Sequence, residues 1–149
     1  MIQLTQIEKK NREKYKKLLL IADEDEVAIN KYLYDGMMFS IHYDNQCIGV
    51  VLITLEPILE IKNIAVIESY RGKGIGKKVI EELKKIAKIN GYQSMIVGTA
   101  NSSIDNIAFY QKCGFRMDSI KKNFFESYSS PIYENGIRAL DMIIFRCDI

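Results

Sequence analysis

The sequence has a single histidine, His42, and only three cysteines, Cys47, Cys113 and Cys147, which lie far apart. No histidine accompanies the cysteines at metal-ligand spacing, so structural zinc is not expected and no metal is assigned. An odd number of separated cysteines favours three reduced thiols over a disulfide framework. We therefore expect a cytoplasmic protein.

Long apolar runs and a strong net charge are also missing. Lys9, Lys10, Arg12 and Lys14 interrupt the N-terminal segment, so we expect neither a signal peptide nor a transmembrane helix. The formal net charge is +2, which gives no reason to expect nucleic acid or a membrane as a partner. The 149 residues are 48% hydrophobic and 27% charged, which predicts one globular domain over residues 1–149.

The strongest local pattern lies in residues 58–78. Residues 58–66 are mostly apolar and predict a strand, and a glycine-rich turn with four basic residues follows at 71–78. Apolar residues then recur at helical spacing: Ile75, Val79, Ile80, Leu83, Ile86 and Ala87. A helix start has unpaired N–H groups, and glycine lets its backbone approach a ligand closely, so this unit predicts an anion site.

The remaining patterns predict strands at 1–5, 37–43, 46–55, 92–99, 115–121 and 138–147, and helices at 11–22, 27–34, 74–90 and 102–113. Ser102 or Ser103 is expected to cap the last helix. The order predicts a mixed α/β (α+β) fold with helices packed on a largely antiparallel sheet. An exposed final strand could pair with a second copy, so a homodimer stays open.

Two common nucleotide-binding motifs fail on their spacing. A Walker A loop needs G-x-x-x-x-G-K-[ST], but Lys77 stands five residues after Gly72. A dinucleotide motif needs G-x-G-x-x-G, and its third glycine would fall on Lys77, or on Val79 when counted from Gly74. The remaining pattern is R-x-x-G-x-G between a strand and a helix.

That pattern resembles the acetyl-CoA signature, [Q/R]-x-x-G-x-[G/A], of the GNAT superfamily of N-acetyltransferases. Residues 106–115, NIAFYQKCGF, resemble a later helix of the same family, and residues 122–142 resemble a small bacterial subgroup of undefined substrate. The resemblance covers nearly the whole chain. It implies a GNAT fold with a mostly antiparallel twisted sheet of about seven strands and flanking helices. It also implies direct acetyl transfer, in a ternary complex, from acetyl-CoA to a primary amine of a small molecule or peptide.

The resemblance also assigns residues to acetyl-CoA. The pyrophosphate is expected on the backbone of Arg71, Gly72, Lys73, Gly74, Ile75, Gly76 and Lys77. A bulge at Ile64, Ala65 and Val66 is expected to offer strand backbone to the pantetheine arm, although a strand buried on both faces explains the same residues. Asn106 is expected to bind the coenzyme, with Asn101 as a second candidate.

The two catalytic assignments are Tyr110 and Glu60. Tyr110 matches the family's general acid, which protonates the departing thiolate, although a core tyrosine explains the same position. Glu60 is the candidate general base because it shares a face with Ile64 if strand alternation holds. An ion pair with Lys62 explains Glu60 equally well.

Further carboxylates and aromatic residues are candidates for the acceptor side. Glu56, Glu134 and Asp141 could serve as the base or bind a positive charge, whereas His42 and Cys113 are interpreted as packing residues. Four aromatic residues are expected either to line the acceptor pocket or to cover the core: Phe124, Phe125, Tyr128 and Tyr133. A second function fits the same motifs, namely a regulatory module that binds coenzyme A without turnover.

Overall fold

The structure is a computed structural model that describes residues 1–149. Its strands are β1 (Ile2–Gln6), β2 (Met37–Tyr43), β3 (Gln46–Thr54), β4 (Leu59–Val66), β5 (Ser94–Ala100), β6 (Arg116–Lys121), β7 (Tyr133–Glu134), β8 (Ile137–Arg138) and β9 (Met142–Asp148). Its α-helices are α1 (Lys16–Ala22), α2 (Glu26–Tyr32), α3 (Ile75–Ile89) and α4 (Ile104–Lys112), and short 3-10 helices lie at Lys9–Tyr15, Glu68–Tyr70 and Phe124–Ser127. None of the helices is both long and apolar enough to span a membrane.

Seven strands form the main sheet in the order β1-β2-β3-β4-β5-β9-β6. Every neighbouring pair is antiparallel except β4 and β5, so the predicted mixed fold with a mostly antiparallel sheet is confirmed. The prediction for the final strand was wrong in two respects. Residues 137–138 belong to a separate hairpin with β7, because Asn135 and Gly136 turn the chain there with positive φ. The final strand is also interior, between β5 and β6, so it offers no free edge to a second copy.

The helices cover the two faces of the sheet. On one face α3 and α4 pack through Val79, Leu83 and Tyr110 onto the larger hydrophobic cluster. On the other face α1 and α2 pack through Leu19 and Ile29 onto a smaller cluster. The division follows from strand geometry, because successive side chains of a strand point to opposite faces. We call these the α3/α4 face and the α1/α2 face.

A bulge at Lys62 changes the course of β4. Leu52 of β3 pairs with Asn63, and Ile53 pairs with Ile61, so Lys62 has no partner in β3. The extra residue reverses the alternation, because Ile61 packs in the cluster under α3 whereas Ala65 packs under α1. The bulge therefore lies just before the predicted positions 64–66.

Strands β4 and β5 separate immediately after the bulge. They pair in parallel only at residues 59–61 of β4 and 95–97 of β5. From Lys62 to Val66, the edge of β4 that faces β5 has no strand partner. This divergence leaves a gap through the middle of the sheet.

Candidate active site

A cavity of about 780 Å³ occupies the gap between β4 and β5. Its wall includes residues 61–66 of β4 and 97–100 of β5. It is also lined by Gly76 and Tyr110 from the α3/α4 face and by residues 21–24, at the end of α1, from the α1/α2 face. The cavity therefore reaches both faces of the sheet, so two molecules can approach one another from opposite sides.

The glycine loop opens onto the α3/α4 side of this cavity. Gly74 is the N-cap of α3 with a φ of +74°, a left-handed conformation that favours glycine. The first helical bond of α3 runs from the N–H of Lys78 to the carbonyl of Gly74 at 3.3 Å. The backbone N–H groups of residues 74–77 have no acceptor in the protein, so they are available to an anionic ligand.

The side chains of the glycine loop lie in different environments, and not all of them face the cavity. Arg71 lines the cavity, and its Nε donates to the carbonyl of Val66 at 3.1 Å, which ties the loop to the end of β4. Lys73 lies over the Tyr70 ring at 5.4 Å, and the Ile75 side chain is buried in the core. Gly76 packs closely against Phe109, because a Cβ there would lie 2.9 Å from Cζ of Phe109 and would displace that ring.

The cavity wall contains many of the residues assigned to acetyl-CoA and to the general acid: Ile64, Ala65, Val66, Arg71, Gly72, Gly76, Asn106 and Tyr110. Asn106 lies at the start of α4, where its amide donates to the Thr99 hydroxyl of β5 at 3.3 Å. Asn101 is instead structural. Its carbonyl oxygen accepts from the N–H groups of Leu140 and Asp141 at 2.8 and 3.1 Å, and its amide donates to Arg138.

Tyr110 lies where α4 meets the cavity. The residue is 5% exposed, and its ring packs against Phe109, Phe115 and Phe145, with centroid separations of 5.2, 5.8 and 6.0 Å. The Tyr110 hydroxyl makes no hydrogen bond within the protein, yet its oxygen is not fully enclosed. Burial raises the pKa of Tyr110, so the phenol keeps its proton at neutral pH.

Glu60 occupies a different place from the expected one. The bulge puts Glu60 on the α1/α2 face and Ile64 on the opposite face, so the expectation that they share a face was wrong. The Glu60 carboxylate lies 3.4 Å from the Nζ of Lys62, and its side chain is only 16% exposed. Lys62 lines the cavity, but Glu60 does not. The role of Glu60 as a general base stays a prediction, and its position away from the cavity wall does not favour that role.

The α1/α2 side of the cavity contains residues that sequence reasoning missed. Asp23 and Glu24 follow the last turn of α1, and Phe125 and Tyr128 lie on the same part of the wall. Of the four aromatic candidates, only these two line the cavity, whereas Tyr133 is 65% exposed. The sequence does contain a signal for these carboxylates, the acidic run at 23–26. Acidic residues are also favourable at the positive end of a helix dipole, so the start of the next helix explains the run equally well.

Glu134 also lines the cavity, but it is held by hydroxyl groups at the start of α4. Its Oε1 accepts from Ser103 Oγ at 2.6 Å and from Ser102 Oγ at 3.3 Å. Ser103 is the N-cap residue of α4, as predicted. Its hydroxyl does not bond to the first turn of the helix, however, because it donates to Glu134. His42 lies on β2 outside the cavity, hydrogen-bonded to Ser40, and Cys113 is buried.

Comparison with known proteins identifies the family. A model of the Acetyltransferase (GNAT) family matches residues 4–115. The chain belongs to this family. An N-acetyltransferase of Bacillus subtilis strain 168, YvbK, described as uncharacterized, is 39% identical over 135 residues, which is 89% of this chain and 87% of that protein.

Solved structures of GNAT proteins agree with this fold over the whole chain. A GNAT acetyltransferase from Elizabethkingia anophelis with acetyl-CoA bound has a TM-score of 0.91 and 36% identity, and the match covers 99% of this chain and 98% of that one. An IAA acetyltransferase from Bacillus cereus ATCC 14579 has a TM-score of 0.91 and 39% identity, with both chains fully covered. The resemblance of the glycine loop and the later helix to this family is thereby confirmed.

Proposed function

We propose that this GNAT protein is an acetyl-CoA-dependent N-acetyltransferase whose acceptor is a primary amine of a small molecule or peptide. The observation that carries the proposal is the cavity between β4 and β5, which joins free backbone donors on one face of the sheet to carboxylates on the other. Residues 1–149 would act as one domain. The three unpaired cysteines are compatible with a reducing cytoplasm.

The residues on the α3/α4 side suit coenzyme A. Free N–H groups at 74–77 and the positive end of the α3 dipole fit a pyrophosphate, and Arg71 adds positive charge. The unpaired edge of β4 from Lys62 to Val66 suits the amide groups of a pantetheine arm, because an exposed strand edge pairs with extended groups. A relative with acetyl-CoA bound supports the same choice of ligand.

Acetyl-CoA supplies an activated acyl carbon and a thiolate leaving group. The amine nitrogen, once deprotonated, forms a bond to that carbon while the carbon–sulfur bond breaks, and it then loses a second proton to water to give the neutral amide. Tyr110 donates its phenolic proton to the departing sulfur, which needs only a nearby weak acid. Its buried ring fixes the hydroxyl at the cavity wall, so proton donation needs no reorganisation of the site.

The charge of the α1/α2 side favours a positively charged acceptor. Asp23 and Glu24 line this part of the cavity, and Glu134 lines its wall beside the start of α4, against the single lysine Lys62. Phe125 and Tyr128 add apolar and aromatic surface beside the carboxylates. We therefore propose an acceptor that combines an ammonium group with an apolar or aromatic body.

The test is thiol release from acetyl-CoA by the purified protein against a panel of amines. The panel contains polyamines, amino sugars, aromatic ethylamines and short peptides, and mass spectrometry identifies the acetylated product. We expect turnover with at least one aryl- or alkylamine, and little with neutral alcohols of the same shape. Tight acetyl-CoA binding without turnover on any amine would instead favour a regulatory module that binds coenzyme A.

A further inference from the structure

Asp23 is the carboxylate most closely connected to the reacting part of the cavity. It follows the last residue of α1, lines the cavity, and is only partly exposed. Its Oδ2 accepts from the hydroxyl of Tyr32 at 3.0 Å, and its Oδ1 accepts from the N–H of Asp25 at 3.2 Å. These bonds hold the carboxylate in one orientation beside the aromatic wall.

A short hydrogen-bond chain links Asp23 to the diverging strand. The Tyr32 hydroxyl that donates to Asp23 itself accepts from the amide of Asn63 at 3.0 Å. The same amide donates to the carbonyl of Leu19 at 2.9 Å, so Asn63 is fixed between β4 and α1. Asn63 is 4% exposed and directly precedes Ile64, where the unpaired edge of β4 runs along the cavity. Two hydrogen bonds therefore connect the carboxylate to the strand that would carry the thioester.

The environment of Asp23 suits a carboxylate that accepts a proton. Burial raises the pKa of Asp23, and the neighbouring Asp25 carboxylate contributes in the same direction. The backbone N–H of Asp25 and the hydroxyl groups of Tyr32 and Tyr128 oppose that rise by hydrogen bonding. No cation pairs with Asp23, so its negative charge is left for a cationic ligand.

The other carboxylates near the cavity are worse placed. Glu134 is held by two serine hydroxyls at the start of α4, and Glu60 is paired with Lys62 and does not itself line the cavity. Asp105 is exposed on α4, on the α3/α4 side. Glu24 is also exposed, and no hydrogen bond holds its side chain in place. Glu134 is also fixed, partly buried and at the cavity wall, but only Asp23 is linked to β4 through Tyr32 and Asn63.

We propose that Asp23 binds the ammonium group of the acceptor and takes its proton, with Tyr32 and Asn63 as positioning residues. This inference rests on the proposed N-acetyltransferase function. One proton of the ammonium group passes to the Asp23 carboxylate, and the freed electron pair forms the carbon–nitrogen bond as the carbon–sulfur bond breaks. The nitrogen then loses a second N–H proton to water, which leaves a neutral amide. Tyr110 protonates the sulfur. The proton on Asp23 then returns through water to the Tyr110 phenolate after the products leave.

The test compares substituted proteins in the thiol-release assay with the best amine of the panel. Asp23→Asn keeps the shape but cannot accept the proton, so we expect kcat/KM for the amine to fall about 100-fold. The KM for acetyl-CoA should stay within about twofold, because Asp23 lies on the other side of the sheet. The remote, exposed Asp118→Asn is the matched control and should change kcat/KM by less than about threefold. Glu60→Gln tests the competing carboxylate, and we expect a similarly small effect.

The pH profile separates a proton acceptor from a merely structural residue. We expect the acidic limb of the Asp23→Asn profile to follow the amine's own titration. Tyr32→Phe removes a donor to the carboxylate, which should raise the pKa of Asp23 and move the acidic limb to higher pH. Asp23→Ala with added formate is the second arm, because a small carboxylate entering the vacated space should restore part of the rate.

Each outcome has one meaning. If the parent protein turns over an amine and Asp23→Asn matches it within twofold, the role of Asp23 is overturned while the proposed function stands. Loss of activity in Glu60→Gln alone would give the role to Glu60. If the parent binds acetyl-CoA but acetylates no amine, both proposals fail. Acetyl-CoA affinity equal to that of the parent would show that an inactive Asp23→Asn protein is folded.

Discussion

Replacing Tyr110 with phenylalanine should remove activity without removing stability. The Tyr110 ring supplies the packing against Phe109, Phe115 and Phe145, and phenylalanine keeps that ring. The hydroxyl makes no hydrogen bond within the protein, so its loss leaves no partner unsatisfied. We therefore expect the free energy of unfolding to change by less than about 0.5 kcal/mol.

The expected loss of activity follows from the role of the hydroxyl. General acid catalysis contributes about 10²- to 10⁴-fold, and a thiolate is a good leaving group, so the lower end applies. We expect kcat to fall about 100-fold, which corresponds to about 2.7 kcal/mol of transition-state stabilisation. The KM for acetyl-CoA should hardly change, because the hydroxyl acts only on the sulfur as it leaves.

The assay combines thiol-release kinetics with urea unfolding of the same preparations. Tyr92→Phe is the matched control, because Tyr92 does not line the cavity between β4 and β5 and its hydroxyl also makes no hydrogen bond in the protein. We expect parent-like kcat for that control. An unchanged kcat in Tyr110→Phe would refute the acid assignment, and a stability loss above about 1 kcal/mol would refute the packing argument.

Three further predictions follow from other positions. Gly74→Ala and Gly91→Ala both place a side chain at positive φ with no neighbour in contact, so each should lower the unfolding free energy by about 1–2 kcal/mol. Calorimetry should show weaker acetyl-CoA binding only for Gly74→Ala. Asn101→Ala removes three hydrogen bonds to residues 138–141, so urea unfolding should show a loss of about 1–3 kcal/mol, with an unchanged KM for acetyl-CoA. Because the pKa of Asp23 is raised, the native state binds more protons than the unfolded state between pH 3.8 and that pKa. Lowering the pH through this range should therefore stabilise the parent relative to Asp23→Asn in chemical unfolding, and the opposite slope would contradict the burial argument.

The strand–loop–helix unit could be predicted because its signals are local. The glycines of the loop and the helical period from Ile75 onward each depend on nearby residues, so the start of α3 was predicted within a residue. The later helix with Tyr110 was recognised for the same reason. Local patterns also predicted the strands of the main sheet, apart from the separate hairpin near the end.

The acceptor side of the cavity could not be predicted because long-range packing forms it. The face of Glu60 depends on one bulged residue, Lys62, which shows no local signature in the sequence. The Asp23 carboxylate meets Tyr32 and Tyr128 only after α1, α2 and the segment near residue 128 pack together. Asp25 contributes to that assembly by accepting from the N–H of Ser129 at 2.9 Å, a contact across 104 positions.

Hydrogen exchange of the backbone amides tests the central claim most directly, namely that the glycine loop and the unpaired edge of β4 anchor acetyl-CoA. The N–H groups of residues 74–77 have no acceptor in the protein, so they should exchange rapidly without ligand. At saturating acetyl-CoA we predict at least about tenfold slower exchange at 74–77, together with slower exchange within 64–66. Saturation that leaves both segments unprotected, or that protects only residues outside the β4–β5 cavity, would contradict the account.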